Sequence, residues 1–191
     1  MYITRGTKMP KVLQQKVSKT ALNAFKRNGI KLKDFKTPAS FEKELKRFLE
    51  NNHVLHLSTC FNNTPRSTAV EFRFHDMKFY VLSEGGGKFG NLNKNKKVSF
   101  SIAEPYNSLE DYWAFKGVQA WGKANIYNQR KDPRQFKEVL KKMKIAELLK
   151  KLGVEELPSS HNYRIIEIIP DIIKYGNPQS GVYWTKWYRK G

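Results

Sequence analysis

Acidic residues and cysteine are scarce in this 191-residue chain. Seventeen Asp and Glu stand against 36 Lys and Arg, so the formal net charge is +19 and the pI is about 10.0. One cysteine, Cys60, excludes an intramolecular disulfide framework and a cysteine-rich zinc site. No apolar run approaches the ~20 residues of a membrane-spanning helix, and the first ten residues lack the apolar core of a signal peptide. We therefore expect a cytoplasmic protein with no membrane partner.

The positive charge is concentrated near the N-terminus. Residues 1–38 contain ten Lys or Arg and one acid, Asp34. Leu13, Val17, Ala21 and Phe25 recur at helical spacing, which predicts an amphipathic helix. We expect a basic helical extension over residues 1–36 and one main domain over residues 37–191. A nucleic-acid partner is the less favoured explanation of the charge, because lysine-rich surfaces are usually just solvated.

Short strands dominate the rest of the chain. A helix is predicted from the Thr37-Pro38 pair, where Thr37 caps the first turn, and another follows Asp132-Pro133. The predicted strands are 53–60, 66–75, 79–83, 98–103, 114–127, 163–169 and 172–175. Sequential strands joined by short turns predict a mostly β protein, an antiparallel barrel with peripheral helices.

A glycine-rich segment is the strongest candidate binding site. Three glycines, residues 85–87, precede Lys88, and backbone N–H groups in such a loop can surround an anion. Arg66, Ser67 and Thr68 lie on an earlier strand and would add a guanidinium fork and two hydroxyl groups. Together these groups suit a phosphate monoester. Taken alone, the glycines are better explained by a flexible hairpin, since neither the P-loop nor the dinucleotide pattern is present.

Residues 45–127 resemble the FMN-binding split-barrel family related to pyridoxamine 5′-phosphate oxidase. The resemblance is carried by 53–59 (HVLHLST), 64–68 (TPRST), 79–83 (FYVLS), 87–88 (GK) with 91–92 (NL), 95–100 (NKKVSF) and 117–124 (GVQAWGKA). It implies a six-stranded antiparallel split β-barrel, a homodimer, and FMN bound at the dimer interface.

Particular residues are implied by position in that family. Arg66, Ser67, Thr68, Gly87, Lys88 and Asn91 would lie at the ribityl chain and phosphate. Leu82 and Ser83 would contact the isoalloxazine ring, largely through the backbone, and Gln119 would reach FMN from a later strand. Trp184 or Trp187 would cover the ring from the partner subunit.

Two departures argue against vitamin B6 oxidation. The oxidase has a Ser-Arg-Lys phosphate cluster where this chain has Gly86-Gly87-Lys88. It also has an Arg-x-His motif near its C-terminus, which is absent between Trp184 and Arg189. The resemblance therefore implies flavin binding without naming a substrate.

Three functions remain open. The first is an FMN-dependent oxidoreductase acting on a small molecule, with an electron donor such as NAD(P)H, in which the flavin carries the chemistry. The second is a flavin, haem or deazaflavin binding protein without substrate chemistry of its own, and the third is a basic nucleic-acid-binding barrel. No catalytic residue is indicated. No metal site is expected, because His53 and His56 project from opposite faces of a strand.

Overall fold

The structure, a computed structural model, describes residues 9–190. Its helices are α1 (Lys19–Arg27), α2 (Pro38–Glu50), α3 (Lys88–Lys94), α4 (Pro133–Lys142) and α5 (Ala146–Lys151). Its strands are β1 (Lys11–Gln14), β2 (Val54–Phe61), β3 (Thr64–Glu71), β4 (Arg73–His75), β5 (Lys78–Ser83), β6 (Lys97–Ala103), β7 (Gly117–Asn128), β8 (Arg164–Asn177) and β9 (Val182–Tyr188). No helix in this part of the chain is long and apolar enough to cross a membrane.

The strands form one sheet with the order β1-β9-β8-β7-β6-β2-β3, in which β5 pairs with β8 and β4 pairs with β5. The pairs β1/β9, β2/β3, β4/β5, β5/β8 and β8/β9 are all antiparallel. The predicted fold class, mostly β with antiparallel strands and peripheral helices, is confirmed. Nine strands are present in residues 9–190, where the resemblance implies six for the barrel.

The chain divides into two compact units. The first comprises residues 1–52, 101–121 and 171–191, and the second comprises residues 53–100 and 122–170. The strands β6, β7 and β8 contribute residues to both. The boundary predicted between residues 36 and 37 stays a prediction. The first eight residues of the predicted N-terminal extension lie outside those that the structure describes.

In the first unit, the prediction of an N-terminal helix is confirmed only for its second half, where α1 forms. Ser18 caps α1 by accepting a hydrogen bond from Ala21 N, and Phe25 is buried. Leu13 was predicted to lie in the same helix but belongs to β1, opposite Lys186 of β9. The prediction was wrong there because a four-residue edge strand depends on its pairing partner, which local periodicity does not reveal.

The second helix of this unit begins as predicted. The hydroxyl of Thr37 accepts a hydrogen bond from Ser40 N, and Pro38 occupies the first turn. Phe41 and Leu45 are fully buried on its inner face.

In the second unit, β2 and β3 form a regular hairpin. Asn62 and Asn63 make its two-residue turn, with φ angles of 48° and 56°. Both angles lie in the left-handed region, as a type I′ turn requires and as asparagine tolerates. The resulting register places Arg66 opposite Thr59.

Three strand predictions need correction. The strand predicted over 66–75 ends at Glu71, and β4 continues after Phe72, whose N–H donates to His53 O. The strands predicted over 163–169 and 172–175 are one strand, β8, which runs through Pro170. The strand predicted from residue 114 begins at Gly117, since Tyr112–Ala114 form a 3-10 turn capped by Asp111.

A buried carboxylate organises part of the second unit. Glu167 on β8 is 4% exposed and accepts hydrogen bonds from Lys78, Tyr80, Asn125 and Tyr127 at 2.9–3.4 Å. Burial acts to raise the pKa of Glu167, but the hydrogen bonds from Lys78, Asn125 and Tyr127 outweigh it, so the pKa is lowered. Burial and the neighbouring Glu167 charge raise the pKa of Tyr80 to about 12.

Candidate anion-binding site

Three cationic side chains surround the glycine loop, residues 85–87, in the second unit. Arg66 comes from the middle of β3, Lys88 begins α3, and Arg164 begins β8. We call these three residues the cation cluster. The antiparallel register of β5 and β8 sets Arg164 opposite Ser83, immediately before the loop.

The glycine loop allows Arg66 to lie against the backbone. A Cβ built at Gly87 would stand 2.7 Å from one guanidinium nitrogen of Arg66 and 2.8 Å from its Cζ. Any side chain at position 87 would therefore displace the guanidinium. Gly86 has a φ of 103°, a backbone conformation that L-residues rarely adopt.

Lys88 is the most buried member of the cation cluster, with 7% of its surface exposed. Its Nζ donates to Gly85 O at 2.6 Å. Burial lowers the pKa of Lys88, and the nearby charges of Arg66 and Arg164 lower it further. Phe89 supplies a shared apolar wall, because Lys88 Nζ lies 5.1 Å and Arg164 Cζ lies 4.9 Å from its ring centroid.

No carboxylate in residues 9–190 forms an ion pair with the cation cluster. Glu84, the acid next to the glycine loop, lies 4.0 Å from His161 and hydrogen-bonds to Tyr163 instead. Like charges brought together around a partly buried group disfavour their own ionised forms. Such an arrangement is typical of a site that an anion completes.

The hydroxyl groups expected near the site have different surroundings. Thr68 follows Arg66 on the same face of β3, and its Oγ1 is shielded from solvent without a hydrogen-bond partner in the described chain. Ser67 is exposed and points to the opposite face. Asn91 on α3 is half-buried and donates to Thr59 Oγ1 at 3.2 Å, and Thr59 is the residue paired with Arg66.

Leu82 and Ser83 at the end of β5 have contrasting side-chain roles. Leu82 packs against the buried cluster that includes Tyr80, Phe136 and Ile165. Its side chain is thus engaged in packing, which agrees with a contact made through its backbone. Ser83 Oγ donates to Gly85 O at 3.1 Å and helps to hold the glycine loop.

Gln119 and Trp184 belong to the first unit, whereas the cation cluster belongs to the second. Gln119 is exposed on β7. Trp184 has a φ of 23°, and its ring lies 4.8 Å from the Phe115 ring and 4.1 Å from Lys174 Nζ. Trp187 is 1% exposed and donates to Glu42 Oε1 at 2.7 Å, so its role is packing.

Arg164 is the residue that sequence reasoning missed. The segment around it was interpreted only as a strand, and neither charge nor spacing linked it to a glycine loop some 80 positions earlier. One signal was present, since Arg164 stands at the head of a strongly apolar run. A cation there is unexpected for a strand that packs both its faces.

Comparison with known families identifies the class of protein. An antiparallel sheet with peripheral helices is the architecture of the split-barrel class. The family model for pyridoxamine 5′-phosphate oxidase matches residues 41–175. The chain therefore belongs to the pyridoxamine 5′-phosphate oxidase family. No curated protein sequence matches it.

Solved structures share the fold at low sequence identity. A Clostridium acetobutylicum protein related to general stress protein 26, of the pyridoxinephosphate oxidase family, has a TM-score of 0.52 and 20% identity over 73% of this chain and 90% of its own. An FAD-binding protein of Mesorhizobium loti has a TM-score of 0.50 and 17% identity, covering 76% and 93%. The heme storage protein HutZ of Vibrio cholerae has a TM-score of 0.51 and 20% identity, covering 68% and 89%.

The residues present fit a flavin phosphate. The cation cluster supplies charge and donors, and the orphaned Thr68 hydroxyl needs a partner. Metal binding has no such support, because no group of three or more His, Cys, Asp or Glu within residues 9–190 could hold an ion.

Proposed function

We propose that this protein binds FMN and acts as a flavin-dependent oxidoreductase on a small molecule. The cation cluster would hold the flavin phosphate, and an electron donor such as NAD(P)H would reduce the ring. The bound flavin supplies hydride or electron transfer, while the protein supplies anchorage and orientation.

The observation that carries the proposal is that the cation cluster forms no ion pair with any carboxylate among the described residues 9–190. Arg66, Lys88 and Arg164 meet at a loop whose glycines leave room for the guanidinium of Arg66. A phosphate monoester carries about −1.5 to −2 charges near pH 7 and three acceptor oxygens. It would therefore relieve the repulsion within the cluster and satisfy its donors.

The remaining residues would position the nucleotide. Thr68 Oγ1 would hydrogen-bond to the ligand, and Asn91 would fix α3 against β2 through Thr59. The backbone of Leu82 and Ser83 would lie along the ring. Gln119 would contact the FMN, and Trp184 would cover the flavin of the partner subunit.

A homodimer is part of the proposal. The strand β3 ends the strand order and exposes Arg66 and Ser67, so a second copy could close the site from outside. Light scattering on the flavin-loaded protein should give a mass of about two chains of 22.3 kDa. A monomeric mass at saturating FMN would contradict this part.

Spectroscopy of the purified protein tests the function. Protein loaded with FMN should show the absorbance spectrum of a bound flavin. Addition of NADH or NADPH without oxygen should reduce the flavin and bleach this absorbance. If FMN binds but neither donor reduces it, the oxidoreductase part fails and a flavin-carrying role remains.

Haem is the second candidate, because HutZ shares this fold. The same protein should be titrated with hemin, and deazaflavin should be included. A Soret shift at stoichiometric hemin, with no FMN binding, would replace the flavin proposal.

A further inference from the structure

The second unit also contains a cavity that the cation cluster does not line. It has a volume of about 430 Å³ and is bounded by α4, α5 and the segment 155–157. Its apolar wall comprises Phe136, Leu140, Ile145, Leu149 and Leu157. Phe136 and Leu149 are 2% and 9% exposed, so the wall is continuous with the buried core. The volume falls in the ~300–1,000 Å³ range of small-molecule sites.

One edge of this cavity is cationic. Lys137, Lys141 and Lys144 line it at successive helical turns, so they lie on the same side of α4 and its C-terminal end. None of the three forms an ion pair in residues 9–190. Glu155 and Glu156 lie on the cavity's lining as well and limit the excess positive charge to about one.

The backbone at Lys144 is unusual. Its φ is 50°, in the left-handed region that glycine or asparagine ordinarily fills between two helices. Lysine rarely adopts this conformation. Lys144 therefore occupies the position directly after the C-cap of α4, at the edge of the cavity.

We propose that this cavity binds an amphiphilic monoanion, a carboxylate on an apolar chain. The apolar chain lies against Leu140, Ile145 and Leu157, and the carboxylate lies between the three lysines. The two glutamates disfavour dianions, which separates this site from the phosphate-binding cation cluster. The proposal is independent of flavin binding.

Displacement of a fluorescent fatty acid tests the proposal. The full-length protein is saturated with 11-(dansylamino)undecanoate, and decanoate is used as competitor. Decanoate should displace the probe at least about tenfold more effectively than decanol, a difference of about 1.4 kcal/mol. Equal potency of the acid and the alcohol would overturn the role of the carboxylate.

Variants locate the site. The triple variant Lys137→Gln/Lys141→Gln/Lys144→Gln should weaken decanoate binding about tenfold or more. The matched variant Lys142→Gln/Lys150→Gln/Lys151→Gln, on exposed positions of the same two helices, should not. Ala146→Trp, at an exposed cavity-lining position, should block the probe while far-UV circular dichroism stays unchanged. No binding in the wild type, or equal losses in both triple variants, would overturn the proposal.

Discussion

Arg66 lies against Gly87 and Lys88 donates to Gly85 O, so two positively charged side chains approach the same glycine loop. Folding gains little from this arrangement, because repulsion and burial both lower the pKa of Lys88. An anion is what turns the repulsion into attraction. The functional account therefore depends on single side chains whose effects on ligand binding can be separated from their effects on stability.

Removal of either cation should weaken phosphate binding selectively. Lys88→Ala and Arg66→Ala should each reduce FMN affinity by on the order of 1–3 kcal/mol, because each removes a charged hydrogen bond. Riboflavin, which has no phosphate, should be unaffected. Fluorescence quenching of each flavin measures both. Lys94→Ala, in the last turn of the same helix, is the control.

Arg164 gives a sharper prediction because only the structure links it to the site. Arg164→Gln should lower FMN affinity at least as much as Arg66→Ala, with riboflavin binding unchanged. Equilibrium dialysis against both flavins checks this. An unchanged FMN affinity in Arg164→Gln would remove the residue from the site.

FMN binding should also weaken at alkaline pH. The pKa of Lys88 lies below its ordinary value of 10.5, so Lys88 loses its charge earlier than an exposed lysine does as pH rises. FMN affinity should decline through that range, and riboflavin affinity should not share the decline while the flavin ring stays neutral. In Lys88→Ala the difference between the flavins should lose this pH dependence.

At the scale of elements, two glycines allow other groups to come close to the backbone. Gly87 in the glycine loop lies against the Arg66 guanidinium, and Gly122 on β7 lies against the backbone of β8. Gly87→Ala should displace the Arg66 guanidinium and reduce FMN affinity several-fold, with little change in stability, because a flexible side chain can move. Gly85→Ala is the matched control, since its Cβ would meet nothing within 4 Å. Equal FMN affinities in the two variants would contradict the close approach.

Gly122 on β7 makes a different kind of approach. A Cβ at this position would overlap Ile169 O and stand 2.7 Å from Pro170 Cα, and the backbone cannot move away at low cost. Gly122→Ala should therefore lower the free energy of unfolding by roughly 1–3 kcal/mol. Thermal denaturation measures this, and Gly90→Ala, with open space around its Cβ, should not be destabilised.

The buried Glu167 predicts an acid dependence of stability. Because its folded pKa lies below the ordinary 4.5, the ionised carboxylate stabilises the fold above that pH, and the contribution is lost as pH falls through the folded pKa. Glu167→Gln should be less stable at pH 7 and should lose stability less steeply below about pH 4.5. Urea denaturation at several pH values checks both.

At the scale of the whole molecule, the features that depend on neighbouring residues could be predicted from the sequence. The features that depend on pairing between distant strands could not. The cap at Thr37 carries its information in adjacent residues and formed as predicted, and the hairpin turn at Asn62-Asn63 likewise depends on adjacent residues. The strand at Leu13 depends on β9, some 170 positions later, so helical periodicity misled. Arg164 reaches the site only through strand pairing with Ser83, which no local pattern encodes.

The central claim is that three unpaired cations recognise a phosphate monoester. Calorimetric titration of the apoprotein with FMN and with riboflavin tests it most directly. The account predicts FMN binding at least about 100-fold tighter than riboflavin, equivalent to about 2.8 kcal/mol, with an affinity that falls as salt rises. Equal affinities for the two flavins, indifferent to salt, would contradict it.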